Sequence, residues 1–499
     1  MKLSKDSRKY ILISFCVLAV CIVVYVLFQY PRPGVADQGD FDRVMFVSGL
    51  QLPEANKNDP NFKRFFDYIV TDYTIKPFSI VGLVITLFSD SIGYLIGIIS
   101  FICKILGQNT FKTGYLALAY VAIYIFAIAA IIKFTNLKSK ITIAVFSLLS
   151  LFILFDGNYL VWFNSLYGEP MMCISLLLYG SSLLYYFYNK NVTKSDNKVF
   201  RRVLLTFAAA FLLLGSKLQL ISALPAILLM QGKILWDNRK FITRRQLSGG
   251  IAFFCILIFY PLEMSITHGA MSKDTQYNSV FYGVLKDSKN PRQDLIDMGL
   301  NPDMAVEAGK HAYEDEKEYV KYIPRTEITE KEFYSKMSNG KLFKFYLTHP
   351  SRLIQGMEYT ATHAFFTGTS LGKYSRQYSE EPIREFNRFT YWSQFREDFL
   401  PKKLLFVVAA ALLILAGSIF TYIRNKANKE VRDKLYLFWM LLYVGMIQFP
   451  MPYMGNGQAD TTKQLFLFDF VFDILMIISV SWCIDTMVKL VVKKRYSLK

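Results

Sequence analysis

At 499 residues the chain has room for several domains, but 53% apolar, 16% aromatic and only 19% charged residues exclude an ordinary soluble protein. The net charge of +18 is spread through short connectors instead of being gathered on one basic face, which argues against nucleic acid as a partner and reads as a topology signal. All six cysteines (Cys16, Cys21, Cys103, Cys173, Cys255 and Cys483) fall inside apolar runs, so neither a disulfide framework nor a zinc spacing is legible.

Apolar runs of about 14 to 25 residues recur between charged connectors, and about 20 helical residues cross a bilayer. Only helices satisfy the backbone within such runs. The expected class is an all-α polytopic membrane protein of about ten to twelve transmembrane helices with one mainly helical insert, in contact with membrane lipids.

Residues 1–30 form a basic N-terminus and a first span. That span, Tyr10 to Tyr30, follows Lys2, Lys5, Arg8 and Lys9 and is long enough for an uncleaved anchor; Gly34-Val35-Ala36 is a weak cleavage site. With the N-terminus in the cytoplasm, residues 31–113 begin on the outer face. Their apolar stretch 79–105 returns to its starting side as a re-entrant segment, a short hairpin or an interfacial helix, with a turn at Ser89-Asp90-Ser91.

Residues 114–264 hold further spans. Connectors 133–140, 188–202 and 232–246 are strongly basic and expected inside, which also places the Asn191 triplet away from glycosylation. "DGNYLVWFNSLYGEP", 156–170, is almost free of basic residues and is expected as an outer loop. Residues 203–231 are flanked by basic connectors on both sides and must form a hairpin, with its apex at 215–219, "GSKLQ". Arms of about 14 residues span about 21 Å, against a hydrocarbon thickness of about 30 Å, so Lys217 is expected recessed below the outer surface.

Residues 265–402 form an extracytoplasmic insert, with helical patterns in "NPDMAVEAGKHAYEDEKEYV" and "HPSRLIQGMEYTATHAFF". His268, His311, His349 and His363 lie in it or at its edge without metal-ligand spacing. Residues 403–489 carry the last spans around an outer loop at 451–464, and 490–499 are a basic cytoplasmic tail. The protein is therefore expected in the plasma membrane, multi-pass, with both termini cytoplasmic.

Charged residues gather on the expected outer face. Asp37, Asp40, Asp42 and Arg43 follow the first span; Glu169 precedes Pro170 at a helix start; Lys217 sits at the hairpin apex; Lys463 stands beside Asp460. Each has a plain reading: Arg43 neutralising Asp40 or Asp42, Glu169 favouring a helix N-terminus, Lys217 snorkelling, Lys463 pairing with Asp460. A charge near the membrane costs roughly 2.5 to 3.5 kcal/mol at depth, so the set also reads as functional.

Transfer of a sugar from a polyprenyl-phosphate carrier needs a base for the acceptor hydroxyl and fixed cations for the departing phosphate. Asp40 suits the first role; Arg43, Lys217 and Lys463 suit the second. Asp37, Asp40 and Asp42 also offer oxygen ligands for magnesium or manganese, without a complete set.

The blocks "DQGDFDR", "SLYGEP", "GSKLQ", "YNSVFYGVL" with "MGLNPDMAVEAG", and "GQADTTKQLFLFDFVFD", in that order, resemble the GT-C superfamily of membrane glycosyltransferases, and more narrowly bacterial hexosyltransferases of surface or S-layer glycan biosynthesis. The resemblance implies an inverting transfer of a hexose from undecaprenyl phosphate to a surface glycan or lipid-linked acceptor. It implies Asp40, or else Asp37, as base, with Glu169, Lys217 and Lys463 lining the same cavity. Gln464 stands where that pattern has a histidine. A flippase, polymerase or ligase of lipid-linked glycans is the alternative.

Overall fold

The computed structural model describes residues 5–57, 59, 62–195, 197–267 and 269–497. Eight of its helices are long and apolar enough to cross a membrane, and a ninth span follows if the bent pair Lys140–Leu154 and Gly157–Asn164 is counted as one. The all-α polytopic class holds, with fewer long helices than the ten to twelve expected. The difference arises because stretches such as 79–105 and 199–214 fold as shorter helices.

The first span begins as α1, Lys5–Val23, and ends in a wide turn at Val24–Phe28. A short helix α2, Phe41–Ser48, leads into a three-stranded antiparallel sheet of β1 (Leu50–Gln51), β2 (Asp72–Ile75) and β3 (Thr110–Lys112), in the order β1-β2-β3. Tyr73 pairs with Phe111 and Leu50 with Ile75. Between β2 and β3 run α3, Ile80–Leu87, and α4, Ser91–Ile105. Because β2 and β3 pair, this excursion returns to the sheet it left. None of the residues of α3 is buried although they are almost all apolar, a face suited to lipid.

Next come α5 (Thr113–Phe134), α6 (Lys140–Leu154) and α7 (Glu169–Tyr188). Between α6 and α7 the chain does not form a solvent loop: residues 153–170 are all buried. The bend is made by Asp156, whose Oδ1 accepts from Asn158 N at 2.9 Å, and by Gly157, where a Cβ would stand 1.9 Å from Arg388 O. A stretch rich in Tyr, Trp and Phe and poor in basic residues suits an outer loop by charge; here its apolar rings fill the bundle.

The hairpin is formed by α8, Val199–Leu214, and α9, Leu224–Asn238, with a break at Gly215 to Lys217 and a 3₁₀ turn at Leu218–Ala223. After α10, Arg244–Thr267, come the insert and then three C-terminal helices: α11 (Leu404–Arg424), α12 (Lys429–Gln448) and α13 (Phe466–Ser497). The side chains of the expected basic tail, Lys493, Lys494 and Arg495 among them, lie outside the described set.

The insert has its own apolar core, including Tyr277, Phe281, Leu295, Tyr322, Phe333 and Phe345, which continues into Phe449, Tyr453 and Phe468 of the C-terminal part. Its later residues Leu371, Phe386 and Trp392 join the core of the bundle. "HPSRLIQGMEYTAT" is helical as expected, over Pro350–Thr362. "NPDMAVEAG" makes only a 3₁₀ turn, Pro302–Glu307, because Glu307 turns inward and accepts from Val320, Lys321 and Tyr322 N at 3.0, 2.7 and 3.0 Å. All six cysteines are free.

Candidate active site

Residues 31–37 lie across one end of the bundle. Gly34 N and Ala36 N donate to Lys373 O and Gly372 O, each at 2.9 Å, and Tyr167 OH donates to Ala36 O at 3.0 Å. Asp37 then turns the chain: its Oδ1 accepts from Gly39 N at 2.7 Å and Phe41 N at 3.2 Å, and its Oδ2 accepts from Arg64 Nε at 2.9 Å. With 2% of the residue exposed and both oxygens engaged, Asp37 holds the loop. Burial raises its carboxyl pKa, against the lowering effect of Gly39, Arg64 and Phe41.

Three residues on, Asp40 keeps 31% of its side chain exposed, and its Oδ2 accepts from Lys463 Nζ at 2.8 Å. Lys463 is carried by a single turn, Thr461–Gln464, of which Gln464 is the last residue. Its Nζ also donates to Gln38 Oε1 at 3.3 Å and lies 5.5 Å from the centre of the Tyr167 ring. The expected Asp460 pair is the longer one, 3.8 Å; Asp460 instead accepts from Gln38 Nε2 at 2.5 Å.

Glu169 opens α7, is fully buried, and forms an ion pair with Lys217 across the hairpin break. Its second oxygen, Oε2, has no hydrogen-bond partner among the described residues. Gly168 packs against both Ser216 and Lys217, so the start of α7 and the hairpin apex are in contact.

Two pairings differ from expectation. Arg43 does not neutralise Asp40 or Asp42 directly; it forms an ion pair with Asp90, in the turn between α3 and α4. Asp42 pairs with Arg64 at 2.8 Å, the same arginine that holds Asp37. Asp37, Asp40 and Asp42 are thus each committed to a cation and do not converge as a metal site, and no group of three His, Cys, Asp or Glu among the described residues could hold a metal ion. His311 meets Glu314 at 3.1 Å and His349 meets Asp297 at 3.2 Å, in separate places; His268 lies outside the described residues.

The charges act on one another. Burial alone would raise the Asp40 pKa, but Lys463, Lys217 and Arg43 outweigh it and hold the carboxyl well below the usual range. Burial likewise opposes the charge of Lys463, yet Asp40, Asp460 and Glu169 hold its ammonium above the ordinary lysine value. For Arg43 burial prevails, lowering its pKa against the pull of Asp40 and Glu169. The geometry therefore brings Asp40, Arg43, Glu169, Lys217 and Lys463 into one cluster, with Asp37 behind it.

Several partners were not read from the sequence: Asp90, Arg64, Gln38 and Tyr167. Asp90 had a usable signal, an acid between two apolar runs, the same pattern that singled out Lys217. From the insert, Tyr313 comes within electrostatic range of Asp460 and Asp40; partial burial and the carboxylates of Asp274, Asp460 and Asp40 push its phenol up to about 12.

A second polar cluster lies beside the bent segment and is fully buried. Arg396 Nη1 donates to Asp473 Oδ2 at 2.8 Å and to Tyr159 OH at 2.6 Å, while Nη2 donates to Thr367 Oγ1 at 2.9 Å. Tyr159 OH and Trp392 Nε1 also donate to Asp473 Oδ2, at 2.7 and 3.0 Å. Asp156 Oδ2 accepts from Ser393 N at 3.0 Å. This network ties the end of the insert to the last span and the bend.

No curated protein and no solved structure matches the chain. A polytopic helical bundle whose charged cluster joins its first loop to the turn before its last helix is matched along residues 1–498 by a family model, and this multi-pass membrane protein belongs to that family: the YfdI N-terminal transmembrane domain family.

Proposed function

We propose that the chain is a GT-C-type glycosyltransferase that moves a hexose from a polyprenyl-phosphate carrier to a glycan or lipid-linked acceptor at the outer membrane face. The observation that carries this reading is a partly exposed carboxylate, Asp40, paired with Lys463 and within the electrostatic reach of Lys217 and Arg43, so that cations from three stretches of the chain act on it. The order of sequence blocks that resembles the GT-C pattern supports it, as does the membrane-spanning class.

In this reading the donor phosphate competes with Asp40 for Lys463. As the ammonium turns to the phosphate, Asp40 loses its strongest stabilising charge and becomes a better proton acceptor. The acceptor oxygen attacks the anomeric carbon from the face opposite the phosphate, and its proton passes to Asp40. The bond from the anomeric carbon to the phosphate oxygen breaks with its electron pair on that oxygen, and Lys463, Lys217 and Arg43 stabilise the charge. The sugar is transferred with inversion. Lys217 and Arg43 are preset by Glu169 and Asp90, which fix the cations before the lipid arrives.

The test is conversion of a labelled polyprenyl-phosphate hexose by the purified, reconstituted protein with a mixture of extracted surface glycans as acceptor. Labelled product and release of polyprenyl phosphate are expected. Relocation of intact donor across the vesicle, without consumption, would make the chain a flippase instead.

A further inference from the structure

Far from the charged cluster, a cavity of about 600 Å³ opens between α5, α6, α7, α11, α12 and α13. Its walls are mostly apolar, with Ile131, Leu184, Phe438 and Ile478 among them, and its charged residues Lys434, Asp485 and Lys489 lie at one end. That end is opposite Asp40. α13 begins at Phe466, close after Lys463, and Lys489 lies 23 residues further, about 35 Å along the helix.

The outer wall is α11, only 11% of whose most apolar stretch is buried, so the cavity lies behind a helix at the periphery of the bundle. At the polar end two basic connectors meet, since Asn136 Nδ2 donates to Glu430 Oε1 at 2.9 Å. Segments 133–140, 424–434 and 485–489 together hold nine Lys or Arg against three Asp or Glu. Lys434 and Lys489 pair with Glu430 and Asp485, at 2.7 and 2.5 Å, which leaves the surrounding excess positive. Inside, Ser481 Oγ is buried with no hydrogen-bond partner among the described residues.

We infer that this cavity is a binding site for an anionic phospholipid of the leaflet at that end, its acyl chain in the apolar cavity and its phosphate at the basic mouth. An apolar cavity ending in cations between membrane helices is the pattern that binds acidic lipid headgroups. A zwitterionic lipid gains nothing from the excess positive charge. The site is independent of glycosyl transfer, so it stands or falls apart from the proposed reaction.

Thermal unfolding of the delipidated full chain in detergent, with added dioleoyl phosphatidylglycerol, dioleoyl phosphatidylcholine or undecaprenyl phosphate, tests the assignment. Phosphatidylglycerol should raise Tm by roughly 3 °C or more above phosphatidylcholine. The gain should vanish in Gly180→Leu/Gly417→Leu, which fills the cavity from two walls at glycines where an added Cβ meets nothing within 4 Å. It should fall by at least half in Lys434→Gln/Lys489→Gln.

Equal shifts from the two phospholipids, or an undiminished gain in the filled variant, would overturn the site. A larger shift from undecaprenyl phosphate would overturn its occupant. Should the filled variant fail to fold, native mass spectrometry decides: equal retention of phosphatidylglycerol by the wild type and the lysine variant rejects the proposal.

Discussion

Asn in place of Asp40 keeps the shape of the side chain and removes the proton acceptor, so transfer should fall by about 10² to 10⁴-fold while the unfolding temperature changes little. Asn in place of Asp37 should do the reverse. Its oxygens hold two backbone N–H groups and Arg64, and weakening them should cost about 1–3 kcal/mol with a smaller loss of turnover. Parallel turnover and denaturation measurements on the two variants separate these outcomes. A fall in turnover with Asp37→Asn alone would move the base to Asp37.

The pH profile gives a second check. Because Asp40 is held below the ordinary carboxylate range, its ionised form, and the ion pair with Lys463, persists as pH falls past about 4. Replacing Lys463 by Gln removes the largest lowering charge, and the acid limb of kcat/KM should move up by about one pH unit or more. The residues themselves were legible in the sequence, because a cation or acid at an apolar boundary is costly enough to stand out. Their partners were not. Arg43 meets Asp90 and Arg64 bridges Asp37 to Asp42 only because α2, the sheet and the α3–α4 turn converge.

Among elements, the hairpin with its apex at 215–219 was legible from charge: 203–231 is short enough to be one span, but two basic flanks cannot lie on opposite sides. The burial of the bent segment after α6 was not, since an exposed and a buried turn share the same lack of lysine and arginine. The segment that delivers Lys463 depends on Gly457, at φ +59 and with its Cβ position 2.3 Å from Asn278 O. Ala there should displace Asp460 and Lys463 together and cost roughly 1–3 kcal/mol. Thermal unfolding together with turnover should show both falling. An unchanged Tm would mean that the loop tolerates a side chain at this turn.

For the molecule as a whole, the bundle and the insert are locked through Arg396. Met in its place leaves Asp473 buried without its cation, and a loss of about 3–5 kcal/mol is expected. Loosening of the insert should appear as faster hydrogen exchange in residues 365–399, and unchanged exchange there would argue against the lock. The overall class was legible because apolar runs and connector charge are properties of the chain taken in order. The joining of insert, bend and last span was not, because Tyr159, Arg396 and Asp473 are polar residues in three unrelated stretches.

The pairing of Asp40 with Lys463 spans 423 residues. During synthesis at about 5–20 residues per second, Asp40 therefore emerges roughly 20 to 85 s before the lysine that neutralises it. Asp156 and Tyr159 wait 237 residues for Ser393 and Arg396, and Tyr159 waits 314 for Asp473. A chain released before the turn Thr461–Gln464 carries Asp40 and Glu169 and lacks the final cation of the cluster. Such truncated products, with Asp40 left without its partner Lys463, should be more readily cleared by membrane proteases than the chain that carries both residues.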